Sequence, residues 1–201
     1  MSQLPAATFN HHPPNCFWQL ANPSLAAPSD RLHAFSFSPP ASMAFAPRKK
    51  VLSGGCQCGA LRFCFYSAPV DPHIRHCRMC QKALGAPFGA FCFIPCADVQ
   101  WTRGEPSIFR SSEAAERGFC SQCGTPLFFR YLRELRIGFL ICSFDEPLAL
   151  TPLRQCAMES AISWAANIGS IPATCTLVSD PIMAEMCMSM QHPDHDTEEW
   201  P

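Results

Sequence analysis

Charge is scarce in this chain, and long apolar runs are missing. Only 15% of the 201 residues are charged, and 15 Lys+Arg against 16 Asp+Glu leave a formal charge of −1. That balance excludes a polybasic nucleic-acid arm or an extended acidic block as the main theme. Residues 1–29 contain no Lys, Arg, Asp or Glu, and Pro5, Pro13, Pro14, Pro23 and Pro28 break up their apolar residues. The segment therefore lacks the basic start and continuous apolar stretch of a secretory signal, and the arginines of a mitochondrial transit peptide. The uncharged stretch 160–179 carries Asn167, Gly169 and Pro172 and is too polar to span a bilayer. A soluble, cytoplasmic protein is expected. Helical periodicity sustained over three turns is also absent.

What the chain does have is cysteine and proline, 14 and 20 residues respectively, with 48% hydrophobic residues. Residues 1–47 are rich in Pro, Ala, Ser and His and are expected to form a disordered extension. Met43 opens a segment that would be a natural start for a compact domain, so residues 1–42 are expected to be dispensable to the fold. From Val51 to about residue 175 the texture changes to short apolar runs divided by Gly and Pro. The runs 61–65, 88–94, 108–110, 126–130 and 136–141 have strand length and are rich in Phe, Ile and Leu. Short helices are expected only over 80–84 and 111–116. The fold class is therefore mostly β, with many short strands and few helices. Residues 176–201 hold six acidic groups and no Lys or Arg, and read as a solvated acidic tail that includes His192–Asp196.

In a reducing compartment, clustered cysteines point to metal ligands before disulfides. Three pairs stand out by spacing: Cys56-Gln57-Cys58, Cys77-Arg78-Met79-Cys80 and Cys120-Ser121-Gln122-Cys123. A tight Cys turn converges two sulfurs on one tetrahedral cation, and flanking glycines let backbone amides approach the thiolates. Two such turns far apart in sequence would staple two hairpins together. The Gly-flanked CxC and CxxC pairs read as a structural Zn²⁺ site, since their spacings do not follow the iron–sulfur patterns. A thioredoxin-like redox pair is disfavoured by the lack of a βαβ pattern. Cys64, Cys92, Cys96, Cys142 and Cys156 sit in apolar runs and are expected to be small core residues. Trp101 and Trp164 are expected in the core or lining a cleft.

Taken in order, Gly54-Gly55-Cys56-Gln57-Cys58-Gly59-Ala60, His76-Cys77-Arg78-Met79-Cys80-Gln81-Lys82 and Gly85-Ala86-Pro87-Phe88 resemble the glutathione-dependent formaldehyde-activating enzyme family. Trp101, Gly104-Glu105-Pro106, Gly118-Phe119-Cys120-Ser121-Gln122-Cys123-Gly124-Thr125 and Phe144-Asp145-Glu146-Pro147 continue the resemblance. The family is grouped with centromere protein V, and the resemblance, over residues 51–175, implies the Mss4-like all-β fold. It also implies zinc: Cys56, Cys58, Cys120 and Cys123 would hold a structural ion. A second ion would take a Cys-x-Cys-x-x-Cys segment of which only Cys77 and Cys80 stand here, with Arg75 at the place of the first cysteine. Arginine cannot ligate Zn²⁺, so that site would need His76 or water. Without metal, Cys77 and Cys80 would be reactive thiols or a reversible disulfide among Arg75, Arg78 and Lys82.

By the resemblance, the activity is that of a zinc-dependent carbon–sulfur lyase acting on glutathione–aldehyde adducts of the S-hydroxymethylglutathione type, or on a related thiol adduct. Cys77 and Cys80 would carry the chemistry, and Arg75, Arg78 and Lys82 would pair with the carboxylates of glutathione as co-substrate. Arg117 and Glu116, just before the 120–123 cysteine turn, could lie near this site, but they read first as an exposed ion pair. The alternative is a non-catalytic, zinc-stabilised β module that binds a protein partner. Nucleic acid is disfavoured, since residues 51–175 carry eleven Lys+Arg against nine Asp+Glu.

Overall fold

The structure, a computed structural model, describes residues 48–173, 181–186 and 188–199. The extension expected over residues 1–47 lies outside these. Ten strands in two sheets and two helices make up the described part, as the mostly-β reading expects. Among the described residues no helix is long and apolar enough to cross a membrane.

The smaller sheet has the order β1 (Leu52–Gly55), β2 (Arg62–Phe65) and β5 (Val99–Arg103), all antiparallel. The larger sheet has seven strands. One half runs from β10 (Arg154–Cys156) through β3 (Val70–Arg75) and β4 (Gly89–Pro95) to β9 (Arg136–Leu140). The other continues with β8 (Pro126–Tyr131), β7 (Ala115–Phe119) and β6 (Ser107–Arg110). Only the β10–β3 pair is parallel. The first helix, α1 (Arg78–Leu84), is made of good helix formers and ends at Gly85, ahead of Pro87. The second, α2, covers Pro181–Met186.

The alternation of side chains along the strands gives the larger sheet two apolar faces. One face packs on the smaller sheet, where Phe63, Phe65, Phe128, Phe139 and Phe144 form a buried aromatic core. Ring centroids there lie 4.7 Å apart for Phe63–Phe139 and 4.8 Å for Phe65–Phe139, within the range of favourable ring packing. The opposite face gathers Phe91, Phe93 and Phe129 around Cys80 of α1. Neighbours on one strand, Phe128 and Phe129, thus serve different cores.

Three expectations need correction. Residues 111–116 form no helix: Ser111 and Ser112 both donate their backbone N–H to the Ala115 carbonyl, at 3.0 and 3.1 Å, closing the β6–β7 hairpin. Strand pairing on both sides of the turn overrides the local helical signal. Trp164 is 52% exposed and belongs to no core cluster, whereas Trp101 packs against the main core. The stretch His192–Asp196 is not a free solvated tail. The His192 N–H donates to the Gln57 carbonyl at 2.8 Å, the residue is 3% exposed, and Asp196 pairs with Arg62 at 2.8 Å and with Lys50. Two buried or half-buried arginines, Arg62 and Arg103, draw this acidic and hydroxyl-bearing segment onto the domain.

Candidate metal centre

Two turns of matching design present four sulfurs. In the β1–β2 turn, Cys56 N–H donates to the Leu61 carbonyl at 3.0 Å, and Gly59 N–H to the Cys56 carbonyl at 3.0 Å. In the β7–β8 turn, Cys120 N–H donates to the Thr125 carbonyl at 2.9 Å, and Gly124 N–H to the Cys120 carbonyl at 2.9 Å. Each second cysteine is followed by a glycine in the left-handed region, with φ of 74° at Gly59 and 76° at Gly124. That conformation folds the chain back beneath the sulfurs and is nearly free only for glycine. A cross-link supports the arrangement: Gln57 N–H donates to Thr125 Oγ1 at 3.1 Å, tying one turn to the other.

The ligand atoms of Cys56, Cys58, Cys120 and Cys123 all lie within 4.8 Å of one another. Cys56 and Cys58 Sγ are 3.5 Å apart, and Cys58 and Cys120 Sγ are 3.8 Å apart. Tetrahedral zinc with bonds of about 2.3 Å puts its sulfurs about 3.8 Å apart. The donor set therefore fits such an ion, and this cluster could hold a metal. As free thiols, Cys56, Cys58 and Cys123 are poorly matched. Burial pushes Cys56 up to about 12, and burial also raises Cys58. Burial opposes ionisation of Cys123 as well, yet hydrogen bonds with Thr125 and Cys58 bring it down to about 6. A bound dication reverses the penalty on the buried thiols by supplying the missing positive charge.

Cys77 and Cys80 form a second, different arrangement. Their sulfurs are 2.8 Å apart, well below the separation of two ligands on one tetrahedral zinc. Cys80 is buried and Cys77 partly exposed. Arg75 lays its guanidinium over the Phe129 ring at 4.9 Å and donates to the Tyr131 hydroxyl at 3.2 Å. His76 is buried, with Nε2 2.7 Å from Gln155 Oε1 and no hydrogen bond at Nδ1. Neither nitrogen joins the two sulfurs: among the described residues, only the Cys56–Cys123 group brings three or more His, Cys, Asp or Glu donors together. The described residues do not fit a second zinc of the same kind.

Arg117 completes this neighbourhood, where the sequence places it only as the less favoured of two readings. Its Nη2 lies 3.6 Å from Cys80 Sγ. The adjacent Glu116 points to the other face of β7, where its carboxylate accepts from Arg130 Nε at 2.6 Å and is largely buried. The exposed Glu116–Arg117 pair expected from sequence is thus replaced by two separate partnerships. Strand alternation was the available signal: consecutive residues of β7 cannot share a face.

A cavity of about 460 Å³ is lined by Met79 and Lys82 of α1, Arg117 and Phe119 of β7, Phe109 of β6, and Gly124 of the cysteine turn. Arg117 links it to Cys80, which is not itself part of the lining. Most of its wall is aromatic or aliphatic, and Lys82 and Arg117 are its cations. Of the residues expected to bind glutathione, Lys82 lines this cavity. Arg75 is committed to Tyr131, and Arg78 donates to Gln81 Oε1 at 3.3 Å. A second cavity, of about 510 Å³, lies on the other side of the cysteine turns between Gln57, Cys123, Asp145 and His192. Cys142 lines it and is exposed, and Cys96 and Cys156 are only partly buried, so of the five cysteines expected in the core only Cys64 and Cys92 are buried there.

A crystal structure of a Rhodobacter sphaeroides protein, a structural genomics target, is 20% identical to this chain with a TM-score of 0.41, over 51% of this chain and 98% of that one. The family profile described as glutathione-dependent formaldehyde-activating enzyme matches residues 51–159, more than half of the chain. Those residues include all four sulfurs of the candidate metal centre, the Cys77–Cys80 pair and Arg117. The chain belongs to the glutathione-dependent formaldehyde-activating enzyme family.

Proposed function

We propose that the protein is a zinc-stabilised carbon–sulfur lyase that forms and cleaves adducts between glutathione, or a related carboxylate-bearing thiol, and a small aldehyde, in the cytoplasm. The observation that carries this reading is Arg117, which touches Cys80 Sγ and, with Lys82, lines a cavity of mostly apolar wall. Two cations in the lining suit a peptide thiol with two carboxylates, and the mostly apolar wall suits the aldehyde-derived part of an adduct.

Zn²⁺ held by Cys56, Cys58, Cys120 and Cys123 would supply a cross-link between the two cysteine turns. Four thiolates fill a tetrahedral shell, so this ion has no position for substrate. Adduct formation joins sulfur to the carbonyl carbon while the thiol proton passes to the carbonyl oxygen. In this reading the Cys77–Cys80 sulfurs relay that proton, and Arg117 favours the negative charge that develops on the incoming sulfur. The non-catalytic alternative has no comparable use for an apolar cavity carrying two cations, one of them in contact with Cys80.

The test is exchange NMR with labelled formaldehyde and glutathione, read against the spontaneous reaction. The protein should accelerate exchange, and Arg117→Ala should cut the acceleration by about tenfold or more. Exchange no faster than in buffer would sink the lyase reading.

A further inference from the structure

We infer that Cys77 and Cys80 form a metal-free dithiol that exchanges with disulfides of small, carboxylate-bearing thiols. This activity goes beyond adduct chemistry. The two sulfurs stand 2.8 Å apart, against 3.5 and 3.8 Å in the cluster that fits a metal. No third donor gathers with them among the described residues. Arg75, two residues before Cys77, offers no ligand: its guanidinium is stacked on Phe129 and bonded to Tyr131.

The pair is also asymmetric in the way exchange requires. Cys77 is partly exposed and can be reached by a disulfide, while Cys80 is 2% exposed and can be reached only by Cys77. Arg117, 3.6 Å from Cys80 Sγ, provides a cation for the second step. Arg117, which touches Cys80, also lines the neighbouring cavity together with Lys82, so the surface near the pair carries positive charge that attracts an anionic disulfide.

The chemistry balances in two displacements. Cys77, as thiolate, attacks one sulfur of R–S–S–R; that bond breaks and the leaving RS⁻ takes up a proton. Cys80, after releasing its own proton, attacks the Cys77 sulfur of the mixed disulfide and expels the second RSH. The protein dithiol loses two electrons, and the small disulfide gains them as two thiols.

The probe is glutathione disulfide, added anaerobically to the reduced, zinc-loaded full chain and followed by peptide mapping. The expected product is a Cys77–Cys80 disulfide, with two glutathione molecules released per chain and zinc retained. Cys80→Ser should stop at a mixed disulfide on Cys77, and Cys77→Ser should slow the reaction at least about tenfold, because access governs attack. Arg75→Cys should raise bound zinc by one ion per chain and protect the pair from glutathione disulfide. The proposal is overturned if Cys77 and Cys80 stay reduced while other cysteines react. It is equally overturned if they react only after a chelator strips a second zinc, or if the parent chain already matches Arg75→Cys in zinc content. The readout is a covalent disulfide rather than adduct turnover, so it stands or falls separately from the lyase reading.

Discussion

Cys58 Sγ and Cys120 Sγ lie 3.8 Å apart although 62 positions separate them in sequence. The contact brings the β1–β2 turn of the small sheet to the β7–β8 turn of the large one, so an ion there would cross-link both layers. A structural zinc contributes on the order of 10 kcal/mol, comparable to the whole stability of a domain this size. Cys120→Ser is therefore expected to lose bound metal and cooperative unfolding together. Metal analysis and thermal circular dichroism check this, and a folded variant with a parent-like melting temperature would contradict it.

Gly124 separates backbone strain from crowding. A Cβ there would meet nothing within 4 Å, yet φ is 76°. Gly124→Ala should then cost about 1–2 kcal/mol from the left-handed backbone alone, and Gly124→Asn less, since Asn tolerates that region better. Denaturant midpoints of the zinc-loaded variants decide. Equal losses for Ala and Asn would show that something other than backbone conformation sets the cost.

The metal centre was legible because its information is local: a short Cys-x-Cys or Cys-x-x-Cys spacing followed by Gly is enough to define each turn. The strands that escaped notice were those whose reason to exist is tertiary. β3 contains Pro72 and the left-handed Asp71, and its pairing to β4 shifts register between Val70 and His73, so its sequence does not read as a continuous strand. β10 is three residues long and forms only because β3 offers a parallel edge. Arg117 could be named as a neighbour of the site but not assigned to it, for a related reason: its place beside Cys80 follows from the β7–β8 register, which sets it opposite Phe129. The docking of His192 and Asp196 depends on Gln57, Arg62 and Lys50, more than a hundred residues earlier, and no local pattern announces such a contact.

Glu116 and Arg130 are direct cross-strand partners with a 2.6 Å ion pair, and their side chains are 11% and 21% exposed. Removing one member leaves a poorly solvated charge behind, so Glu116→Ala should cost about 2 kcal/mol, below the range for fully buried pairs because Arg130 keeps some access to water. Replacing both residues by Ala should recover part of that loss. A double-mutant cycle in denaturant measures it, and strictly additive losses would rule out the coupling.

Acid stability should depend on Arg62. Its side chain is only 4% exposed, and it holds Asp145 at 2.6 Å and Asp196 at 2.8 Å. Burial works against ionisation of Asp145, but hydrogen bonds from Arg62 and Ser53 outweigh it and hold the carboxyl below its ordinary value. Burial likewise opposes Asp196, and Lys50 and Arg62 bring it below the usual range. Both carboxyls are thus depressed in the folded chain relative to an unfolded value of about 3.9. Between the folded and unfolded values the unfolded chain binds more protons, so the stabilisation is complete above about pH 4 and is lost as pH falls through the folded values. Asp145→Asn should cost about 2–3 kcal/mol at neutral pH and flatten the acid limb of the stability curve, because Arg62 is left with one partner. Asp196→Asn should cost less than about 1 kcal/mol, since that carboxylate is 45% exposed and screened by solvent. Urea unfolding at a series of pH values between neutrality and acid gives both slopes. An Asp145→Asn curve parallel to that of the parent would mean that this carboxyl is not depressed, and that Arg62 is held in the core by something other than its charge partners.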